Sequence, residues 1–434
     1  MNNIRVLHIT SHLGGGVGKA ISGLIMSGKN CIDSQIILLE KPEQMYYVDL
    51  LVEQNISVVI EPEYSKIIDI ISKSDIVVIN WWGHPLMIKL LKMISNVESR
   101  FFIWNHINGY TYPYLDGKLL QKFDEIIFTS ELSKQNQLWS QDEKQNIVDK
   151  SHVIYGMGNF RPQKIIPKKN YEIKEIYTIG YVGTINYAKM NPDILMYYKK
   201  VIKHFKNVKI IMLGEPSEKF LGDIKKNDLN EYFIFPGFVD NVIDFCRDMD
   251  VFAYLLTENS YATTENSLIE AMSVGLPIVV LDNPVERSII KDKINGRIVK
   301  SPEEFISVLE WLRCDDNAKK LGESAREYCI RSYSSEHNFN EFYKICIEGI
   351  KKKKHILDLE DIIKDNPFEN FLFQAVKEKK LFKQLIKKNN KKILKKIPDI
   401  YKEKNKGSIR QFAKYFPECI ELQILERRIN NDDN

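Results

Sequence analysis

Short apolar runs separated by amphipathic stretches fill most of the chain. Between residues 1 and 155 the runs IRVLHI, SQIILL, SVVI, DIVVIN, RFFIWNH and DEIIFTS alternate with segments of helical period, among them Met45 to Gln54 and PLMIKLLKMI. Strands so continuously apolar are the kind buried on both faces of a parallel sheet, and the alternation predicts a doubly wound α/β domain over 1–160. The segment RPQKIIPKKNYEIKE, 161–175, carries two prolines and five Lys or Arg and reads as a linker. From Ile176 the alternation restarts with YTIGYVG, VKIIML, YFIFPG, VFAYLL and LPIVVLD, interleaved with PDILMYYKKVIKHF, NVIDFCRDM and NSLIEAMSVG, and further helices follow to about Ile350. A second domain of the same kind is predicted over 176–350. Two such domains leave a cleft at the carboxyl ends of their strands, where ligands of open α/β sheets bind. Beyond Lys351 no strand pattern is visible, and 351–434 reads as a helical extension.

Length and charge sharpen this division. A chain of 434 residues suits two or three domains, and 44% hydrophobic residues suffice to give each a core. No apolar run reaches the roughly 20 residues of a membrane span, and no charged segment with an apolar core opens the chain. The protein is therefore expected to be soluble and cytoplasmic. Six cysteines (Cys31, Cys246, Cys314, Cys329, Cys346, Cys419) lie far apart without a C-x-x-C pair, which points to reduced thiols rather than zinc or disulfides. Net charge is only +4, yet Lys351 to Arg410 holds nineteen Lys or Arg against eight Asp or Glu. That +11 marks the extension as a unit with contacts of its own: peripheral docking on the inner face of a membrane, docking on a protein, or a solvated helical surface. Lysines far outnumber arginines and no nucleic-acid motif appears, so nucleic acid is not expected as a partner.

The first turn raises a chemical question. In SHLGGGVGKA a Walker loop would need a glycine at 13 and Ser or Thr at 20, where Leu13 and Ala20 stand. A dinucleotide fingerprint begun at Gly14 would need a glycine at 19, where Lys19 stands. What remains is strand, glycine turn and helix: an anion site at a helix N-terminus, or simply a tight first turn.

The stretch NSLIEAMSVGLPIVVLDNPVERSIIKDKINGRIV, together with that turn, resembles the retaining glycosyltransferases of family 4. GYVGTINYAK (180–189), IIMLGEP, FIFPGFVDNVIDFCRDMDVFAYLL and EAMSVGLPIVV (270–280), followed by Glu286 and Asn295-Gly296, extend the similarity in order over about residues 4–348. The resemblance implies the GT-B fold, two facing Rossmann-like domains, and transfer of a sugar from a nucleotide-diphosphate sugar with retention of configuration. It implies no metal and no cofactor beyond that co-substrate.

It also assigns roles. Asn266, Ser267 and Leu268 would begin a helix whose N–H groups attract the diphosphate, and Glu270, one turn in, would accept hydrogen bonds from the ribose hydroxyls. Gly15 and Gly16 would let the backbone close over the donor. Family members place an Arg after the glycine at 183 and a Lys five residues on; here Thr184 replaces the Arg and Lys189 keeps the spacing. Lys189 would neutralise the leaving diphosphate. A further family glutamate, eight positions before 270, is Ala262 here; Glu265 either approaches the sugar in its place or caps the helix. His106, just after an apolar strand, matches a histidine near the reacting sugar, and Trp81, Trp82 and His84 are acceptor candidates or edge packing. Asp248-Met249-Asp250 has the spacing of a metal-binding triplet from another fold and reads as structural, as does Asp315-Asp316 at a helix start.

The expected protein therefore positions donor and acceptor, supports the leaving diphosphate and excludes water by closing about the linker. The acceptor is open: a glycan, a lipid-linked sugar or a protein. Rich Lys, Ile and Asn usage suits an AT-rich bacterial genome, where such enzymes serve polysaccharide assembly or protein glycosylation. Two other readings stand beside it. One is a catalytically weak nucleotide-sugar-binding partner subunit, suggested by Ala262 and Thr184. The other is a GT-B-like nucleotide-sugar epimerase, for which no acid–base carboxylate pair is evident.

Overall fold

In a computed structural model, which describes residues 3–172, 174–187, 189–239, 241–258, 264–398, 401 and 407–430, the apolar runs become two parallel sheets. The first contains β1 (Ile4–Thr10), β2 (Ile32–Leu38), β3 (Ser57–Ile60) and β4 (Ile76–Trp81). After a two-residue strand β5 (Glu98–Ser99) it continues with β6 (Phe101–Asn105), β7 (Glu125–Phe128) and β8 (Ser151–Val153). The order is β3-β2-β1-β4-β6-β7-β8, the doubly wound arrangement expected when helices return the chain to the same edge.

Alternation along each strand supplies two cores. Leu7, Ile9, Val77, Ile79, Phe101 and Ile103 face one side, while Val6, Ile76, Val78, Phe102 and Trp104 face the other. The second side is covered by the helix Gly15–Gly28 and, from far along the chain, by Phe339, Phe342 and Ile345 of the helix Ser335–Gly349. The first side is covered by the helices Tyr64–Lys73 and Pro85–Met93 and by the C-terminal extension, through Phe371, Phe382, Leu385, Phe412, Leu422 and Leu425. One compact unit consequently comprises Met1–Asn159 with Phe339–Asn434, and the other comprises Phe160–Asn338.

The extension is thus part of the first unit. The helix Lys379–Lys387 buries Phe382 and Leu385 in the same apolar cluster, Phe382 against Phe371 and Tyr401 of the extension, and leaves Lys380, Lys383 and Lys387 exposed. Its apolar face, which an amphipathic membrane helix would lay into lipid, is already occupied. The expectation of no strand past Lys351 needs one correction: β15 (His355–Ile356) pairs antiparallel with β5. Two residues carry no period, and only the partner strand makes them a ribbon.

The second unit holds β9 (Tyr177–Val182), β10 (Val208–Leu213), β11 (Phe233–Gly237), β12 (Val251–Tyr254), β13 (Ile278–Leu281) and β14 (Arg297–Val299), ordered β11-β10-β9-β12-β13-β14. The stretch read as a linker straps onto this unit from Phe160 onward. Lys168 is buried, with its ammonium donating to the carbonyls of Arg247 (3.1 Å) and Met249 (2.8 Å), where a helix ends. The Tyr171 hydroxyl donates to the Gly275 carbonyl at 2.8 Å. Charged side chains that look like loop composition are here backbone caps. Asp250 accepts from the Thr178 amide and hydroxyl at 2.7 and 2.8 Å, tying β12 to β9, and Asp315 and Asp316 open the helix Asp315–Tyr333.

Candidate functional site

The second unit gathers its chemistry at the carboxyl ends of β9 and β12. Past β9 the chain turns at Gly183, whose φ of +144° suits glycine, and a Cβ there would lie 3.1 Å from the Tyr181 hydroxyl and 3.4 Å from Lys189 Nζ. Thr184, in the place of the missing Arg, is exposed. Lys189 Nζ lies 3.5 Å from Glu265 Oε2 and 5.3 Å from the centre of the Tyr254 ring. The Tyr254 hydroxyl donates to the same Glu265 oxygen at 2.6 Å.

Glu265 occupies the position before the helix Asn266–Ser273 but makes no capping hydrogen bond. Of the two roles open for it, capping is therefore the one its side chain does not take. Glu265 is 2% exposed, and among the described residues its Oε1 has no partner. Asn266 Oδ1 is likewise buried and unpartnered, Ser267 and Glu270 are half-buried on the same helix, and the Leu268 side chain is in the core, leaving only its amide for ligand contact. Ala262 lies outside the described residues. The sequence comparison had given Glu286 no role, yet it is fully buried, and neither oxygen has a well-formed hydrogen bond. Burial first, and then the Glu265 carboxylate, push its carboxyl up to about 8 against the opposing influence of its own amide, Asn283 and Lys189.

The first unit presents a different set. Gly15 opens the helix Gly15–Gly28 at φ +51°, with no side-chain cap and no acidic residue in the first turn. Among the described residues, apart from its own helix and chain neighbours, no atom lies within 4 Å of where a Cβ on Gly15 or Gly16 would stand, and both glycines are exposed. The first turn of this fourteen-residue helix therefore carries no side-chain cap and is open at its glycines.

His106 follows β6, its amide bonded to the Trp81 carbonyl at 2.8 Å and its Nε2 3.0 Å from Asn80 Oδ1. Asn80 Nδ2 donates to the carbonyls of Ile9 and Val78, so its oxygen must face the ring, and His106 Nε2 carries the proton. Burial, with His8 adding to it, pushes His106 down to about 3. The imidazole is neutral and offers Nδ1 as an acceptor, so a sugar hydroxyl would donate to it.

Trp81, Trp82 and His84 are buried, at 1%, 8% and 0% exposure. Trp81 belongs to the sheet's core. Stacking of an acceptor on these rings is therefore not what the structure offers; edge packing is. His84 caps the helix Pro85–Met93 by accepting from the Leu86 amide on Nδ1 at 3.2 Å. That bond puts the ring proton on Nε2, 3.2 Å from Glu40 Oε1. Tyr415, from the extension, donates its hydroxyl to Glu40 Oε2 and packs its ring 4.9 Å from that of His84. His12, at the start of the glycine turn, lies 3.8 Å from Glu40. Burial raises the Glu40 carboxyl, but the hydrogen bonds from His84 and Tyr415, with the nearby imidazoles, outweigh it and leave it below the ordinary range. His12, Glu40 and His84 bring ligand-type atoms within 4.8 Å of one another. The group does not suit a metal, because the His84 nitrogen facing Glu40 carries the proton. Neither Glu40 nor Tyr415 was legible as a site residue: one is a charge after a strand, the other an aromatic in a helix 375 residues away.

Residues 176–315 match the family model described as glycosyl transferases, group 1. No curated protein sequence matches the chain significantly. Among solved structures, HepE from Anabaena in complex with UDP and glucose aligns with a TM-score of 0.59 at 11% identity, covering 80% of this chain and 100% of its own. A glycosyltransferase from Rickettsia africae gives 0.62 at 17% identity, covering 81% and 100%. The lipopolysaccharide outer core galactosyltransferase WaaB gives 0.59 at 15% identity, covering 80% and 99%. The fold is GT-B: two parallel-sheet Rossmann-like units, the second holding the residues that match the group 1 model, with helices added at the C-terminus.

Proposed function

We propose that this protein is a retaining, metal-independent glycosyltransferase of family 4 that moves a sugar from a nucleotide-diphosphate sugar to a hydroxyl-bearing acceptor. The observation that carries the reading is the second unit's constellation. Lys189 stands 3.5 Å from Glu265 Oε2, at the head of the helix that begins at Asn266 and carries Glu270 one turn in, all inside the residues that match the group 1 model. HepE holds UDP and glucose, or UDP-glucose, in its complexes, which favours a nucleotide sugar here as well.

In this reading the diphosphate lies at the Asn266–Leu268 amides with Lys189, and Glu270 accepts from the ribose hydroxyls. As the bond from the anomeric carbon to the diphosphate breaks, charge grows on the leaving oxygen, and Lys189 with the helix dipole stabilises it. In the first unit, the open amides at Gly15 and Gly16 and the neutral His106 serve the reacting sugar and the acceptor. The acceptor is a glycan, a lipid-linked sugar or a protein. The exposed lysines of the extension, Lys387, Lys391 and Lys395 among them, dock the enzyme on an anionic membrane surface through charge alone.

Thermal shift with UDP, GDP and dTDP, each free and as common sugar conjugates, tests the donor site. One nucleotide series should raise Tm by several degrees at millimolar ligand. If none does, the donor-site assignment fails. Exposed Thr184, without the family's Arg, favours a weak partner subunit as the second reading, and sugar transfer by the chain alone would exclude that.

A further inference from the structure

We propose that binding of a nucleoside diphosphate in the second unit is coupled to uptake of a proton by the buried Glu286, because the anion draws Lys189 away from Glu265. This rests on the reading of Lys189 as a diphosphate ligand.

Glu286 is fully buried and neither of its oxygens has a well-formed hydrogen bond; Glu265 is 2% exposed with one oxygen unpartnered. The charged or titratable groups facing the pair are Lys189 from the loop after β9 and the tyrosines Tyr254 on β12 and Tyr181 on β9, with the polar Asn283 and Asn266 alongside. Among the described residues Lys189 is the cation these contacts supply to two buried carboxyl groups. Two ionised carboxylates in one desolvated place are costly, and a single ammonium at 3.5 Å from one of them relieves only part of that. Glu286 in the free protein is therefore already poised to take a proton, in keeping with the upward push on it to about 8.

Lys189 is the movable member, since its side chain keeps 27% exposure against 3% for Glu265. An ammonium that turns to a diphosphate weakens its hold on Glu265, and the ligand's own negative charge adds to the field at Glu286. Both effects favour protonated Glu286, and the proton comes from solvent. Above pH 8 the phosphates of the nucleotide are fully ionised, so uptake there does not come from the phosphates.

The test is calorimetric titration of the full-length protein with UDP, GDP and dTDP at pH 8.5, in two buffers of different ionisation enthalpy. The dependence of heat on buffer should report uptake on the order of half a proton per site, shrinking towards pH 7 where Glu286 already holds its proton. Glu286→Gln should bind the same nucleotide without uptake. The wild type supplies a second measurement: affinity should weaken by up to about tenfold per pH unit above pH 8. Binding with no uptake and no such pH dependence overturns the proposal, as does uptake that persists in Glu286→Gln. Failure of every nucleotide to bind instead overturns the donor-site reading and this inference with it.

Discussion

At the scale of single residues, Gly15 and Glu270 separate two functions. Gly15 has a positive φ and nothing near its absent Cβ, so a β-branched residue there suffers backbone strain of about 1–2 kcal/mol and fills the open space before the helix. Gly15→Val should lower turnover at least tenfold while changing the Kd of the nucleoside diphosphate less than threefold, because the glycine turn and the nucleotide residues belong to different units. Glu270→Ala should do the reverse, weakening nucleotide binding by roughly tenfold through the loss of hydrogen bonds to a charged acceptor. Steady-state turnover beside a direct binding titration distinguishes them; parallel losses in both variants would refute the division. The sequence makes these two residues legible, because a glycine turn and a helix start are local patterns. It does not make legible the tautomer of His106, which depends on how Asn80 is held by the carbonyls of Ile9 on the neighbouring strand and Val78 on its own.

Among elements, the helix Lys379–Lys387 shows why amphipathicity alone does not name a partner. The periodicity is plain in KKLFKQLIK, but whether Phe382 and Leu385 meet lipid or protein is decided by the other parts of the extension, where Phe382 packs on Phe371 and Tyr401. What is left outward is lysine. Reversal of Lys387, Lys391 and Lys395 to Glu should leave Tm within about 2 °C, since these side chains are exposed, and should abolish pelleting with vesicles containing anionic phosphatidylserine. High salt should release the wild type as well. Pelleting that survives both changes would rule out a charge-driven dock.

For the whole molecule, the extension behaves as core. Phe371, Phe382, Leu385, Phe412, Leu422 and Leu425 are all buried there at 0% exposure, and each contributes on the order of 1.5–3 kcal/mol. Their sum matches or exceeds the net stability of an ordinary domain. A chain truncated after Ile350 should therefore aggregate or lose more than about 10 °C in Tm, measured by thermal unfolding and gel filtration, rather than merely lose a docking surface. It would also remove the Tyr415 hydroxyl from Glu40, beside the glycine turn. A stable, monomeric truncated chain with unchanged Tm would show the extension to be an appendage.

The sequence by itself determined the two series of parallel strands, the glycine turn, and the helix from Asn266 that ends at Gly275. Each is written in residues a few positions apart, where period, turn chemistry and chain stiffness act. Tertiary structure alone decided that the 161–175 stretch is strapped to the second unit and that His84 packs against Tyr415 with buried Trp82 on it. It also decided that Glu286 is fully buried and that Lys189 stands 3.5 Å from Glu265. Those outcomes depend on residues tens to hundreds of positions apart being desolvated together, and the energy of a buried charge is set by such neighbours rather than by the local chain.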